Sequence, residues 1–173
     1  MALVLSLGVA SLYAQPIPVK MTFSGNGGPS AADLKYPNSN TIEENVAGNG
    51  TLGPFTFRDI RASANSPQPS STCNGVFFPA VAGAAILRFQ DGSLLKVNLK
   101  PGSASGDCID FVNLVAVCTL IFDIQGGTGR FENASGVLAY SERARPVLFD
   151  TLGFPALGTE VGGITGTISG VAP

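Results

Sequence analysis

Period-two alternation of apolar and polar residues runs through most of the chain. Val19, Met21 and Phe23 alternate with Lys20, Thr22 and Ser24, and Phe55 and Phe57 alternate with Thr56 and Arg58. Leu120, Phe122 and Ile124 alternate with Ile121, Asp123 and Gln125, and Ile164, Gly166 and Ile168 alternate with Thr165, Thr167 and Ser169. Successive side chains of a strand point to opposite faces, so each pattern predicts a strand with one buried face. No segment keeps an apolar stripe at the 3.6-residue period over a helical length, and Ala31 to Lys35 allows one helical turn at most.

The stretch from Ala84 to Lys100 predicts a hairpin whose register follows from its faces. Ala85, Leu87 and Phe89 share the apolar face of one strand, and Leu95, Val97 and Leu99 that of the next. Facing residues on paired strands point the same way, so the loop must hold an odd number of residues. A three-residue loop, Gln90-Asp91-Gly92, pairs Leu87 with Leu95 and Ala85 with Val97, and puts Gly92 where a left-handed residue is needed. Arg88, Lys96, Asn98 and Lys100 then face water.

Three segments interrupt the strands. Gly27 to Asn40 and Ala62 to Gly75 are rich in Gly, Pro, Ser and Asn. Arg145 to Glu160 holds Pro146, Gly153, Pro155 and Gly158, but also Val147, Leu148, Phe149, Leu152, Phe154 and Leu157. So many apolar residues suit an irregular cap over a barrel end, or a contact surface for a ligand or another subunit. The prolines and glycines favour the cap. The pattern as a whole predicts an all-β chain, a single closed antiparallel barrel of about eight strands with long irregular loops.

Composition narrows the chemistry. The chain has 173 residues, of which 45% are hydrophobic and only 13% charged, with a formal charge of −2. Such a surface carries no nucleic-acid footprint. The absence of His removes the commonest general base, any Ser/His/Asp or Cys/His constellation, and the commonest zinc ligand. No metal and no cofactor are expected on this reading.

Residues 1–14, MALVLSLGVASLYA, are apolar and uncharged, too short to span a bilayer, and lead through small residues to Ala14. They resemble the apolar region and cleavage end of a secretory signal, and the lack of a preceding Lys or Arg fits a leader truncated at its start. The expected organisation is a signal peptide over 1–14 and one β-barrel domain over 15–173, secreted to an extracellular or periplasmic space. No later segment is long and apolar enough for a membrane span. In an oxidising compartment two of the three cysteines should pair. Cys73 and Cys108 both sit in loop-like sequence, so Cys73–Cys108 leads, with Cys108–Cys118 as the alternative. Asn49-Gly50-Thr51 and Asn133-Ala134-Ser135 match the glycosylation triplet.

The sharpest local motif is Gly126-Gly127-Thr128-Gly129-Arg130-Phe131, followed by a small-residue segment ending at Gly136. A phosphate loop needs a following Lys-Ser/Thr and a helix, and neither is present. The structural reading is that the glycines permit close backbone approach while Phe131 plugs the core. Strand, GGTGRF, small residues and strand together resemble the allene oxide cyclase and dirigent β-barrels, most of all their secreted bacterial members. Gly48 to Thr56 resembles the early hairpin of those barrels, and Gly162 to Gly170 their last strand. The resemblance implies a barrel that binds apolar small molecules and, in some members, steers cyclisation or radical coupling. It assigns no individual pocket residue here.

The candidate ligand-binding residues follow from face assignments. If Phe55 and Phe57 point inward, Asp59 shares their face. If Leu138 points inward, so do Tyr140 and Glu142; if Val137 and Ala139 do, those two are wet. Phe149 and Phe154 join as members of the apolar segment. Asp59, Asp123 and Glu142 also raise a glycosidase-like carboxylate pair, set against the commoner case of solvated carboxylates. No catalytic set is assigned. The expectation is a binding module for an apolar small molecule or a partner protein, with a homo-oligomer open. A cyclase- or dirigent-type enzyme and a structural envelope or matrix protein are the alternatives.

Overall fold

The computed structural model describes residues 15–172, so the expected leader lies outside the described residues. Nine strands account for nearly all regular structure: β1 (Ile17–Pro29), β2 (Ser39–Gly50), β3 (Phe55–Ala64), β4 (Val76–Phe89), β5 (Leu94–Leu99), β6 (Gly106–Asp110), β7 (Val115–Gly127), β8 (Ser135–Phe149) and β9 (Pro155–Ser169). All pairings are antiparallel, in the order β3-β2-β1-β9-β8-β7-β5-β4, and β4 pairs back onto β3 to close the ring. Closure leaves no free edge in the ladder. The short strands β5 and β6 share one position between β4 and β7: β5 pairs with Ala84–Arg88 and β6 with Val76–Pro79. The result is an eight-stranded barrel plus one extra strand, as the alternation predicts.

The hairpin register matches its faces. Leu87 lies opposite Leu95 and Ala85 opposite Val97. Phe89 N–H donates to Ser93 O at 3.0 Å, leaving Gln90-Asp91-Gly92 as the loop, and Gly92 has φ +83°. Leu87, Phe89, Leu95, Val97, Leu120, Phe122 and Ile124 are all buried.

One half of the interior is filled by rings. Phe131, fully buried on a 3-10 turn (Gly129–Phe131) between β7 and β8, stops that end, with its centroid 4.7 Å from Phe89. Arg130 lies over both rings and donates to Leu52 O at 2.6 Å. Deeper in, Phe23 stacks on Tyr140 at 4.7 Å and Tyr140 on Phe57 at 5.1 Å, so three nearly parallel rings cross the barrel. Gly162 makes room for that stack: a Cβ there would meet Phe23 Cζ at 2.6 Å.

Cys73 and Cys108 form the disulfide, with a Cα–Cα separation of 5.5 Å, tying the irregular β3–β4 connection to β6. Cys118 is a free, buried thiol. No described helix is long and apolar enough to cross a membrane. The cap expected from Arg145 to Glu160 does not form. β8 and β9 extend as a hairpin to a turn at Asp150–Gly153, and Phe149, Leu152 and Phe154 are exposed. The prolines do not break it: Pro146 still lies opposite Gly158 and Pro155 opposite Phe149, and the ladder accommodates them with register shifts between Pro146 and Leu148 and between Leu148 and Phe149.

Candidate functional site

The half of the barrel beyond the stacked rings holds charge. Val46 and Phe57 are opposite one another, and one inward step further along the same strands lie Glu44 and Asp59. Arg61 comes next on β3, beside a bulge at Ala62–Ser63. Cys118 on β7 faces both Asp107 on β6 and Glu142 on β8, and Glu160 enters from β9 opposite Gly25. All five carboxyl residues are buried, and Arg61 is the one buried base among the described residues. With every acid ionised the cluster would carry −4.

Arg61 organises one side. Nη1 contacts Glu44 Oε1 and lies 3.1 Å from Asp59 Oδ2, while Nη2 donates to Asp107 Oδ1 at 3.0 Å. Ser63 Oγ donates to Asp107 Oδ2 at 3.4 Å. On the other side Tyr140 Oη donates to Glu142 Oε2 at 2.5 Å. Several polar atoms find no partner: Glu44 Oε2, Asp59 Oδ1, Arg61 Nε and Glu160 Oε2. Buried polar groups are normally satisfied, so a group of such orphans facing one interior calls for partners that the protein's own side chains do not supply, such as water, an ion or a ligand group.

Burial sets the protonation. It pushes Asp59 up to about 8, with the Glu44 charge adding and Arg61 opposing. It pushes Glu142 up to about 10, with Glu44 and Glu160 adding. Glu160 rises to about 8 for the same first reason, and Glu44 adds again. The Tyr140 hydroxyl and the Cys118 thiol are also held protonated, mainly by burial. Burial works against the Arg61 charge, but Asp107, Cys118, Glu44 and Asp59 outweigh it and keep the guanidinium cationic. At neutral pH Asp59, Glu142 and Glu160 are therefore neutral carboxylic acids, each with a proton available to donate.

Asp59, Tyr140 and Glu142, inferred from shared faces, are inside the barrel and in one cluster. Asp123 is not: it lies on the outer face, 3.4 Å from Lys100, so no glycosidase-like pair includes it. Phe149 and Phe154 stand on the hairpin that projects from the acidic end. The β6–β7 turn at the same end exposes Phe111, Val112 and Leu114, so the acidic interior has an apolar rim. Glu44, Arg61, Asp107, Cys118 and Glu160 were missed as site residues, although parity would have found most of them. Phe55, Phe57, Asp59 and Arg61 are all odd, and Cys118 to Ile124 and Glu160 to Ile168 continue even runs. An open groove of about 910 Å³ lies along the outer face of β1 to β5, lined by residues such as Ala47, Arg58, Ala84 and Ile86, and Asp59 of the acidic cluster is also part of its lining. Compared with protein-family models, curated proteins and solved structures, the chain matches none of them.

Proposed function

We propose that the chain is an exported β-barrel binding module that seats a small molecule at its acidic end. The ligand would have an apolar body, to meet the rim, and a cationic or hydrogen-bond-donating group, to meet the carboxyls. The observation that carries this reading is the set of orphaned oxygens on Glu44, Asp59 and Glu160 inside a barrel whose other half is already filled. A barrel kept only as scaffold has no use for five buried acids around one base, because desolvating them costs more than an apolar core. The Cys73–Cys108 disulfide supports export, since such bonds persist in oxidising compartments.

A second reading is favoured by one contact. Tyr140 and Glu142 form a hydrogen-bonded pair of weak acids next to stacked rings, an arrangement that suits an enzyme of the cyclase or dirigent type protonating or orienting a reactive intermediate. The two readings share a site and separate on turnover.

A matched probe set tests binding: phenethylamine, phenethyl alcohol and phenylpropionate, three molecules of one shape and different charge. The amine should raise the melting temperature most and the carboxylate least, and Glu142→Gln with Glu160→Gln should remove the difference. Equal shifts for all three probes, or an unchanged preference in the double variant, would reject the acidic seat.

A further inference from the structure

The spacing of the cysteines fits no zinc signature, yet the fold assembles donors that the sequence keeps 98 residues apart from end to end. One ligand atom each from Glu44, Cys118 and Glu142 lies within 4.8 Å of the other two, and all three side chains are buried. A tetrahedral zinc site, with bonds of about 2.0 Å to oxygen and 2.3 Å to sulfur, sets its donors roughly 3.3–3.5 Å apart. The three donors need to draw together by about an ångström, which rotations of two glutamate side chains supply.

Two further observations point to a cation there. Glu44 Oε2 has no hydrogen-bond partner, although the residue is 1% exposed and its other oxygen is held by Arg61. Glu160, 4% exposed, is a third carboxyl, outside that 4.8 Å group but with an unpartnered Oε2. Its position is fixed by Gly27, where a Cβ would meet Glu160 Oε1 at 2.1 Å and Glu44 Cγ at 2.7 Å. A side chain at 27 would therefore fill the space in which these two acids approach one another. Arg61 behind Glu44 is in the place of an outer-shell donor, orienting a ligating carboxylate while leaving its second oxygen free.

We infer that Glu44, Cys118 and Glu142 form a site for a borderline-soft divalent cation, zinc by preference, with Glu160 as the fourth ligand. The donor chemistry selects the ion. One thiolate with carboxylates excludes the hard, all-oxygen preference of Mg2+ and Ca2+ and suits Zn2+ or Co2+. Ligation needs the thiolate and the carboxylates, so binding releases to solvent the protons held by Cys118, Glu142 and Glu160, and uptake strengthens as pH rises. The inference stands on its own geometry and does not depend on which small molecule, if any, the acidic end takes.

The test is Co2+ titration of the disulfide-intact, chelator-stripped protein at mildly alkaline pH. Cys118 is the one free thiol among the described residues, so a thiolate-to-cobalt absorption band reports this site. The expected result is one equivalent of Co2+ with that band, displaced by Zn2+. Cys118→Ser should abolish the band, and Glu142→Gln, which removes a direct ligand, should weaken uptake by at least the roughly 10–100-fold that loss of an outer-shell partner costs, while Asp123→Asn on the outer face leaves it unchanged. Circular dichroism checks that each variant folds; should Cys118→Ser fail to fold, the near-isosteric Glu142→Gln decides. No uptake, uptake without a thiolate band, or full-strength uptake in Glu142→Gln overturns the site and leaves the acids holding protons instead.

Discussion

Replacing Arg61 with Met removes the one buried cation among the described residues and keeps most of the side-chain length. In the parent the guanidinium contacts Glu44, Asp59 and Asp107. Breaking a buried ion pair by deleting one partner costs about 3–5 kcal/mol, because the other charge is left uncompensated. Here Glu44 and Asp107 lose the same partner, while Asp59 keeps its proton to about 8 and strands no charge, so the upper end applies at neutral pH. With a urea m-value of about 2 kcal/mol per molar, the midpoint should fall by roughly 2 M. The cost must also depend on pH. Near pH 4 the acids can stay protonated without Arg61, and no charge is stranded, so the penalty should shrink or reverse sign. Urea melts followed by circular dichroism at both pH values, with chelator present, measure this. A loss under about 1 kcal/mol at neutral pH, or an equal loss at both pH values, would refute the cluster as drawn.

Three further outcomes follow from the same structure. Phe131→Ala empties a fully buried plug and should cost about 3–5 kcal/mol in a denaturant melt; a loss within the range of surface substitutions would show that this end is not stopped by the ring. Phe149→Ala and Phe154→Ala should each move the midpoint by no more than about 0.5 kcal/mol, because both rings are exposed; a large loss would restore the cap. In metal-free protein, stability should be greatest near pH 4 and fall as pH rises through about 8, since Asp59 and Glu160 keep their protons to about 8 when folded and Glu142 to about 10, whereas the unfolded chain releases such protons near pH 4. A stability that rises across that window in thermal melts would contradict the buried neutral acids.

The barrel was legible because alternation is a local property. β1, β3, β5, β7 and parts of β4 and β9 show their buried faces within a few residues, whereas β8 leaves its parity open, and the Gln90-Asp91-Gly92 loop follows from parity with a glycine at the left-handed position. The Cys73–Cys108 pairing was read from loop signals and holds, although only Cys73 lies in a loop and Cys108 stands on β6. The site was legible in part. Asp59, Tyr140 and Glu142 inherit their direction from apolar neighbours on the same face, but the distance between Glu44, Cys118 and Glu142 is set by ring closure across four strand pairings, which no local pattern encodes. The hairpin from Arg145 to Glu160 was misread for the opposite reason. Pro and Gly are strong local signals against a ladder, and they were overridden by a register shift and by pairing with the partner strand.

The most direct measurement concerns the acids that Arg61 does not pair. Glu142→Met with Glu160→Met replaces two buried carboxyls by apolar side chains of similar length. If the acidic end is kept for a ligand rather than for folding, its removal relieves desolvation and the variant should be more stable than the parent at pH 8, by about 1–4 kcal/mol, with the preference for phenethylamine lost. A urea midpoint below the parent's under the same conditions, with chelator present, would show that the acids hold the barrel together and would contradict a ligand seat.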